Sequence, residues 1–250
     1  AIEHLILDER YFKNSNIKEE CLLYKEEIIN IINSELTEYF SEENREVWYK
    51  GEKLQEKKLL NITFDYLEEK YPKYIEINYE LMNKTKLSFQ MKKVRQNLLE
   101  MLLNNAKELN REEFYENTGA INSVARTVLR KIVDVSNGEI IFLDKWKNLE
   151  EEVISKLKEE NRYLKQIYDS FTTDKEGYGL RNGIFTLFLG ILLIKNKGSI
   201  EVIDNNSKLK QNLTSELVEK IEKNPEGYYL AYVEKTAEEE KYLLDLKDLL

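Results

Sequence analysis

The sequence contains few of the residues that interrupt regular secondary structure, cross-link the chain or take part in catalysis. Two prolines and nine glycines occur among its 250 residues, together with one cysteine and one histidine. Because so few residues break regular structure and 34% are charged, the composition favours a globular, mostly helical protein. The single cysteine, Cys21, excludes a disulfide within the chain and is typical of a reducing compartment, so we expect a cytoplasmic protein.

The residues and motifs of common catalytic sites are also scarce. The one histidine, His4, is interpreted as a surface residue. Ordinary zinc sites need clusters of histidine and cysteine, and serine or cysteine nucleophiles need a positioned histidine. Neither a Walker A motif nor the glycine signatures of dinucleotide sites and hydrolase nucleophile elbows occur. The sequence therefore predicts no catalytic residue, no metal and no cofactor.

Only one long apolar run is present, at residues 178–194 with the sequence YGLRNGIFTLFLGILLI. Its apolar part, 184–194, is far shorter than the roughly 20 residues that a membrane span requires. A short helix that is apolar on all sides is typical of a protein core, so we expect a buried helix and no membrane contact. Helical spacing predicts that Gly179, Gly183 and Gly190 form one bare stripe for close packing.

Apolar residues recurring at steps of three and four predict a series of helices. Capping residues set some starts, as at Ser41 and Thr236, other helices start at Ser88 and Thr214, and prolines set two ends, after Tyr71 and Asn224. The predicted helical segments are 16–40, 41–70 with a break or kink at Gly51, 88–102, 121–132, 146–171, 184–194, 214–224 and 236–250.

Strand signals are confined to the second half of the sequence. Asn137-Gly138 between β-branched runs indicates either a hairpin or a helix end followed by one strand, and 199–203 and 228–233 read as strands. The predicted fold is therefore mostly α, with a helical part followed by a small winged-helix-like α+β part. We predict a helical domain at 1–138, a winged-helix-like domain at 139–235 and an amphipathic helix at 236–250.

The charge is unevenly distributed. A net charge of −9 argues against general affinity for nucleic acid. Between Lys84 and Lys131, however, ten lysines and arginines stand against five glutamates, a local excess of +5. Two alternatives remain open: a contact with an anion or nucleic acid, or a solvated face paired with the chain's own acidic helices. The candidate contact residues are Lys92, Lys93, Arg95, Arg126 and Arg130.

Two segments resemble a known family. One is INYELMNKTKLSFQMKKVR at 77–95, and the other runs from YGLRNG at 178–183 through the apolar helix and IEVI at 200–203 to KNPEGYYL at 223–230. Over residues 70–235 the chain resembles an internal region of very large prokaryotic P-loop NTPases of anti-phage defence, of the BREX BrxC/PglY-like kind. The resemblance implies a region outside the ATPase core, with a role in assembly or in coupling the ATPase to DNA or to partner proteins.

These observations favour a non-catalytic interaction or scaffolding module of a larger defence-type NTPase assembly. Its partner would be another protein or the remainder of a larger polypeptide. One alternative is a DNA-binding regulator that uses the winged-helix-like part or the basic helices 84–131, although the apolar segment 180–196 lacks the side chains that read bases. A second alternative is a metal-dependent nuclease or hydrolase built on Glu139, Asp144 and Lys145.

Overall fold

A computed structural model describes residues 15–39, 47–49, 51–54, 59–136, 138–160 and 162–234, and the side chains of most of them. Contacts divide the chain into two compact units, residues 1–65 and 66–250. The predicted amphipathic helix at 236–250 lies outside the described residues, as does His4.

The first unit contains one long helix and one hairpin. Helix α1 spans Ser15–Tyr39 and agrees with the predicted segment 16–40. Strands β1 (Val47–Tyr49) and β2 (Glu52–Leu54) pair antiparallel, with Trp48 opposite Lys53. The prediction of a helix is therefore wrong at 47–49 and 52–54, whereas residues 41–46 lie outside the described residues. Gly51 adopts a φ of +83°, which allows the tight reversal between the strands.

Helix α2 (Leu59–Lys70) ends where the sequence predicted. The backbone N–H of Tyr71 closes the last turn on the carbonyl of Leu67, and Pro72 follows. Proline disfavours a helical conformation in the residue before it and supplies no N–H of its own, so the helix stops.

The second unit is mostly helical. Its regular structure begins with the last part of α2, residues 66–70, and continues with α3 (Phe89–Asn104). The predicted helix start at Ser88 is confirmed, and Ser88 serves as the N-cap by accepting a hydrogen bond from the N–H of Met91. The other helices, with a 3₁₀ turn at Ala106–Asn110 and a π-helical turn at Ala125–Leu129, are α4 (Glu112–Glu116), α5 (Ala120–Val124), α6 (Arg130–Ile132), α7 (Asp144–Glu159), α8 (Leu164–Thr172), α9 (Asn182–Lys195) and α10 (Ser215–Lys223).

The Asn137-Gly138 signal corresponds to a hairpin. Strands β3 (Val133–Ser136) and β4 (Glu139–Phe142) pair antiparallel, with Val133 opposite Phe142. Gly138 has a φ of +83°, a conformation that favours glycine. Of the two alternatives for this region, the structure shows the hairpin.

A three-stranded antiparallel sheet has the order β5-β7-β6, with β5 at Arg162–Tyr163, β6 at Ile200–Asp204 and β7 at Tyr228–Tyr232. The prediction of one helix across 146–171 is wrong, because β5 separates α7 from α8. The backbone becomes extended at Glu160, and Arg162 then pairs with Leu230 of the central strand. A partner distant in sequence therefore overrides a continuous helical pattern.

Helix α9 forms the centre of the second unit. Every residue from Gly183 to Leu193 is buried, and the helix packs against α3, α8 and α10. A Cβ atom on Gly183 would lie 2.5 Å from the Met82 carbonyl oxygen, and one on Gly190 would lie 2.7 Å from a Leu99 methyl group. The prediction of close packing is confirmed for these two glycines. Gly179 lies before the helix instead, in a loop with a φ of +58°.

Residues on both sides of the predicted boundary at 138/139 share one hydrophobic core, which runs from Ile75 to Leu230. The fold is mostly α with small antiparallel sheets. Among the described residues, no helix combines the length and the apolar character that crossing a membrane requires. The short apolar segment 184–194 is instead enclosed by protein, as its length predicted.

Candidate interaction surface

Helix α3 carries three of the five candidate cations, and its two sides differ sharply. One side faces the core through Met91, Val94, Leu98 and Leu102. Arg95 lies on this buried side and is 0% exposed, so it is not open to the predicted contact with an anion or nucleic acid. Its position between buried apolar residues one turn away predicts burial from helical spacing alone.

The Arg95 guanidinium is held by two glutamates of α10. Its Nε and Nη2 atoms donate to the two oxygens of Glu219 at 2.8 and 2.7 Å, a bidentate arrangement. Its Nη1 donates to Glu222 at 3.1 Å and to the carbonyl oxygen of Gly183 at 3.2 Å. Burial alone would lower the pKa of Arg95, but the two carboxylates raise it above its ordinary value. Arg95 therefore joins α3, α9 and α10 within this chain.

Lys92 completes an ionic cluster, defined here as Lys92, Arg95, Glu219 and Glu222. Its Nζ donates to Oε2 of Glu222, whose side chain is 7% exposed. Burial opposes ionisation of Glu222, yet the hydrogen bonds and charges of Arg95 and Lys92 outweigh it and hold its pKa below the ordinary value. With two cations and two anions the cluster is neutral, which allows it to lie largely out of water.

Arg126 and Arg130 are exposed, and both are bonded within the chain. Arg126 donates to the carbonyl oxygen of Tyr115. Arg130 donates to Glu112 and places its guanidinium carbon 3.5 Å from the centre of the Tyr115 ring. These contacts fasten the π-helical turn at Ala125–Leu129 and α6 to α4.

Lys93 differs from the other four candidates. It is exposed, and no ionic partner lies near it among the described residues. One turn earlier, Phe89 is 83% exposed, and it lies on the side of the helix opposite the core. Lys84 and Lys86 are exposed in the segment that enters the helix, where Lys84 has one exposed contact with Glu80 at 3.4 Å. We call Lys84, Lys86, Phe89 and Lys93 the α3 surface.

Sequence reasoning missed Phe89, although a signal for it exists. The core side of α3 is set by Met91, Val94 and Leu98, and a helical projection places Phe89 about 160° from Met91. The signal is an aromatic residue on the polar side of an amphipathic helix, a position that packing in the core does not explain. Sequence reasoning also missed Glu219 and Glu222, because nothing local to α3 identifies partners more than 120 residues away.

The residues of the nuclease alternative do not form a metal cluster in the described part of the chain. No group of three or more histidine, cysteine, aspartate or glutamate side chains there is placed to hold a metal ion. Glu139 begins β4 and is exposed, and Asp144 begins α7. The amine of Lys145 donates to the carbonyl oxygen of Tyr74 at 2.8 Å, so it supports the segment before α3.

A polar groove of about 560 Å³ lies beside Lys145, lined also by Lys73, Glu152 and Tyr178. Its side chains pair with one another: Glu152 accepts hydrogen bonds from Lys73 at 2.7 Å and from the Tyr178 hydroxyl at 3.1 Å. Burial and the charge of Glu152 raise the pKa of Tyr178, so this hydroxyl stays protonated as a donor. Tyr178 therefore supplies neither a general base nor a nucleophile to the groove.

The α3 surface is thus the part of the basic region that presents cations and an aromatic ring to solvent, whereas the other candidate cations hold the fold together. Comparisons of this chain with protein families, with curated proteins and with solved structures each found no match.

Proposed function

We propose that this chain is a non-catalytic interaction module, part of a larger cytoplasmic NTPase assembly of the prokaryotic defence type. The observation that carries the proposal is Phe89, which is 83% exposed one helical turn from the exposed Lys93, with Lys84 and Lys86 exposed in the segment before the helix. A fully exposed aromatic ring is costly to hydrate and is a typical anchor of protein interfaces. The resemblance over residues 70–235 supports the assembly, and the single cysteine supports the reducing compartment.

The arrangement of α7, β5, α8, α9, β6 and β7 supports the winged-helix-like interpretation of residues 139–235. Two helices follow β5, and the antiparallel order β5-β7-β6 places the last strand in the centre. Helix α10 stands between β6 and β7, where a winged helix has its wing. This is a likeness of fold, which carries no function by itself.

The position of α9 favours a protein-binding role over DNA reading. In helix-turn-helix proteins the second helix enters the major groove and contacts bases with exposed polar side chains. Here α9 is buried from Gly183 to Leu193. Helix α9 packs against α3 from inside the core, and we assign the contact with a partner to the α3 surface.

The experiment is an affinity purification of the tagged chain from its native cells, with Phe89→Ala/Lys93→Glu as the test variant. We expect a Walker A-containing NTPase to be enriched with the wild-type chain and lost with this variant. Lys175→Glu is the matched control, because Lys175 is an exposed lysine distant in sequence from α3. Equal recovery with the wild-type chain and the test variant would contradict the α3 surface as the contact.

The alternative, a contact with nucleic acid, is tested by titrating the chain with duplex DNA at several salt concentrations. Binding to duplex DNA that weakens steeply with salt and disappears in Lys93→Glu would replace the protein contact by a nucleic-acid contact. We expect the wild-type chain and Lys93→Glu to bind DNA equally weakly, because the chain carries a net charge of −9.

A further inference from the structure

The three-stranded sheet β5-β7-β6 is covered by helices on one of its two faces. Leu230 and Val202 pair across β7 and β6, point to this covered face, and are 0% and 4% exposed. Helices α7 and α8 pack against β7. Side chains alternate along a strand, so the residues between these two point to the opposite face of the sheet.

The opposite face carries a row of apolar side chains. Tyr229 pairs with Ile203 on one side and with Tyr163 on the other, and Val233 lies on the same face four residues later. Tyr163 and Val233 are 45% and 38% exposed, and Tyr229 and Ile203 are half-buried. The two tyrosine rings contact each other, and the amine of Lys208 lies 5.6 Å from the centre of the Tyr229 ring. We call Tyr163, Ile203, Tyr229 and Val233 the outer sheet face.

The segment 236–250 follows directly at the edge of this face. The N–H of Val233 is still bonded to Ser199, and two residues separate Val233 from Thr236. Consecutive elements of a chain usually lie side by side. A helix of 15 residues is about 22 Å long and β7 is about 17 Å long, so a helix that turns back after Glu234 spans the outer sheet face.

The sequence of 236–250 fits an apolar surface. Thr236 and Glu239 form a capping box, which predicts the start of a helix. Its apolar residues fall on one side at helical spacing, and they are Tyr242, Leu243, Leu246, Leu249 and Leu250. A stripe of this size is costly to leave in water.

The charges agree with the same placement. Residues 236–250 contain five acidic residues and two lysines, a net charge of −3. Lys208, above Tyr229, hydrogen-bonds to a neighbouring asparagine and forms no ion pair within the described part of the chain. The nearby Asp204 directs its carboxylate to backbone N–H groups instead. Lys210 and Glu201 pair with each other at 2.6 Å and cancel. Lys208 is therefore the cation that an acidic segment meets there.

We infer that residues 236–250 form a helix that folds back antiparallel to β7 and covers the outer sheet face. At 1.5 Å per residue, Leu246 then lies about level with Tyr229, and the acidic residues around it lie within reach of Lys208. The inference does not depend on the proposed function, because the α3 surface contributes no residue to this face.

Hydrogen–deuterium exchange of the full chain, measured by mass spectrometry, tests the placement. An isolated helix of 15 residues is marginal in water, so slow exchange of the amides in 240–250 reports packing. We expect these amides to exchange at least about tenfold more slowly than in an unstructured peptide, and we expect Ile203→Asp to abolish this protection. Ile141→Asp is the matched control, because Ile141 is 48% exposed on β4, in a different sheet. The amides of β7 in the same data verify that the sheet remains folded.

Leu246→Asp and Leu244→Asp form a second matched pair, within the segment itself and outside the described core. A helical projection places Leu246 at the centre of the predicted apolar side and Leu244 about 160° away. We expect Leu246→Asp to remove the protection of 240–250 and Leu244→Asp to retain it.

Three results would overturn the inference. The first is exchange of 240–250 in the wild-type chain at the rate of an unstructured peptide, and the second is protection that Ile203→Asp and Leu246→Asp leave intact. The third is protection that disappears on dilution, which would assign the contact to a second copy of the chain. Protection lost in Phe89→Ala/Lys93→Glu, with Ile203→Asp without effect, would place the segment on the α3 surface and also overturn it.

Discussion

Arg95 combines features that rarely occur together, a charged guanidinium with no exposed surface and a full set of protein partners. Its guanidinium makes four hydrogen bonds, to Glu219, Glu222 and the Gly183 carbonyl, and a further ion-pair contact with Glu222, so the cost of leaving water is offset within the chain. Removing one member of such a cluster leaves charges buried without a counter-charge, and that loss exceeds the net contribution of the pair.

We expect Arg95→Ala to lower the free energy of unfolding by about 3–5 kcal/mol, since Glu222 is left buried beside Lys92 alone. Urea unfolding followed by circular dichroism measures the change. Lys93→Ala, two residues earlier and exposed, should change stability by less than about 0.5 kcal/mol. A loss below about 1 kcal/mol for Arg95→Ala would show that water enters the cluster and solvates it.

Glu222 gives the cluster a pH dependence. Its pKa is lowered in the folded chain, so its contribution to stability is present above the ordinary glutamate pKa of about 4.3 and is lost as the pH falls through the lowered value. We expect thermal unfolding temperatures to decrease on acidification below about pH 4.5. In Glu222→Gln the decrease across this window should be smaller, and equal slopes for both proteins would contradict the assignment to this carboxyl.

The two glycines of helix α9 have different neighbours, backbone oxygens at Gly183 and a leucine side chain at Gly190. At Gly183 an added Cβ meets the backbone oxygens of Met82 and Lys84 at 2.5 and 2.9 Å, and neither atom can move away independently. At Gly190 it meets only methyl groups of Leu99, at 2.7 and 2.8 Å, which can turn aside. The same substitution therefore has different consequences seven residues apart on one helix.

We expect Gly183→Ala to destabilise the chain by about 1–3 kcal/mol through overpacking, and Gly190→Ala to cost less. Alanine also gains up to about 1 kcal/mol in helix propensity, which offsets part of the cost at Gly190. Chemical unfolding of both variants and of Gly190→Ala/Leu99→Val checks this. The double variant should recover stability lost in Gly190→Ala, and a larger loss at Gly190 than at Gly183 would contradict the geometry.

At the scale of the whole molecule, the one large hydrophobic cluster among the described residues lies in the second unit. Its members run from Ile75 to Leu230, although the chain divides into units at Asp65. We expect a chain of residues 66–250 to unfold cooperatively, with a thermal midpoint within about 5 °C of the full chain. Calorimetry measures both midpoints. A fragment that aggregates or unfolds gradually would show that the first unit is needed for the core.

The sequence predicted local features well and distant ones poorly. Ser88 and Thr214 act through their immediate neighbours, so both helix starts could be predicted, and the hairpin was one of the two alternatives that the local sequence around Gly138 allowed. The break at β5 could not, because it depends on pairing with Leu230. For the candidate site, helical projection could identify the exposed Phe89 and the buried Arg95. It could not show that Glu219 and Glu222 are the partners of Arg95.

The central place of β7 in its sheet has a consequence during synthesis on the ribosome. Strands β5 and β6 both pair with β7 and not with each other, yet β7 follows them in the chain. The sheet therefore cannot close until Tyr232 has left the exit tunnel, and Arg95 has no counter-charges until α10 emerges, shortly before β7. A nascent chain halted before Ser215 holds Arg95 without its counter-charges, so translation arrest there should yield a protease-sensitive intermediate.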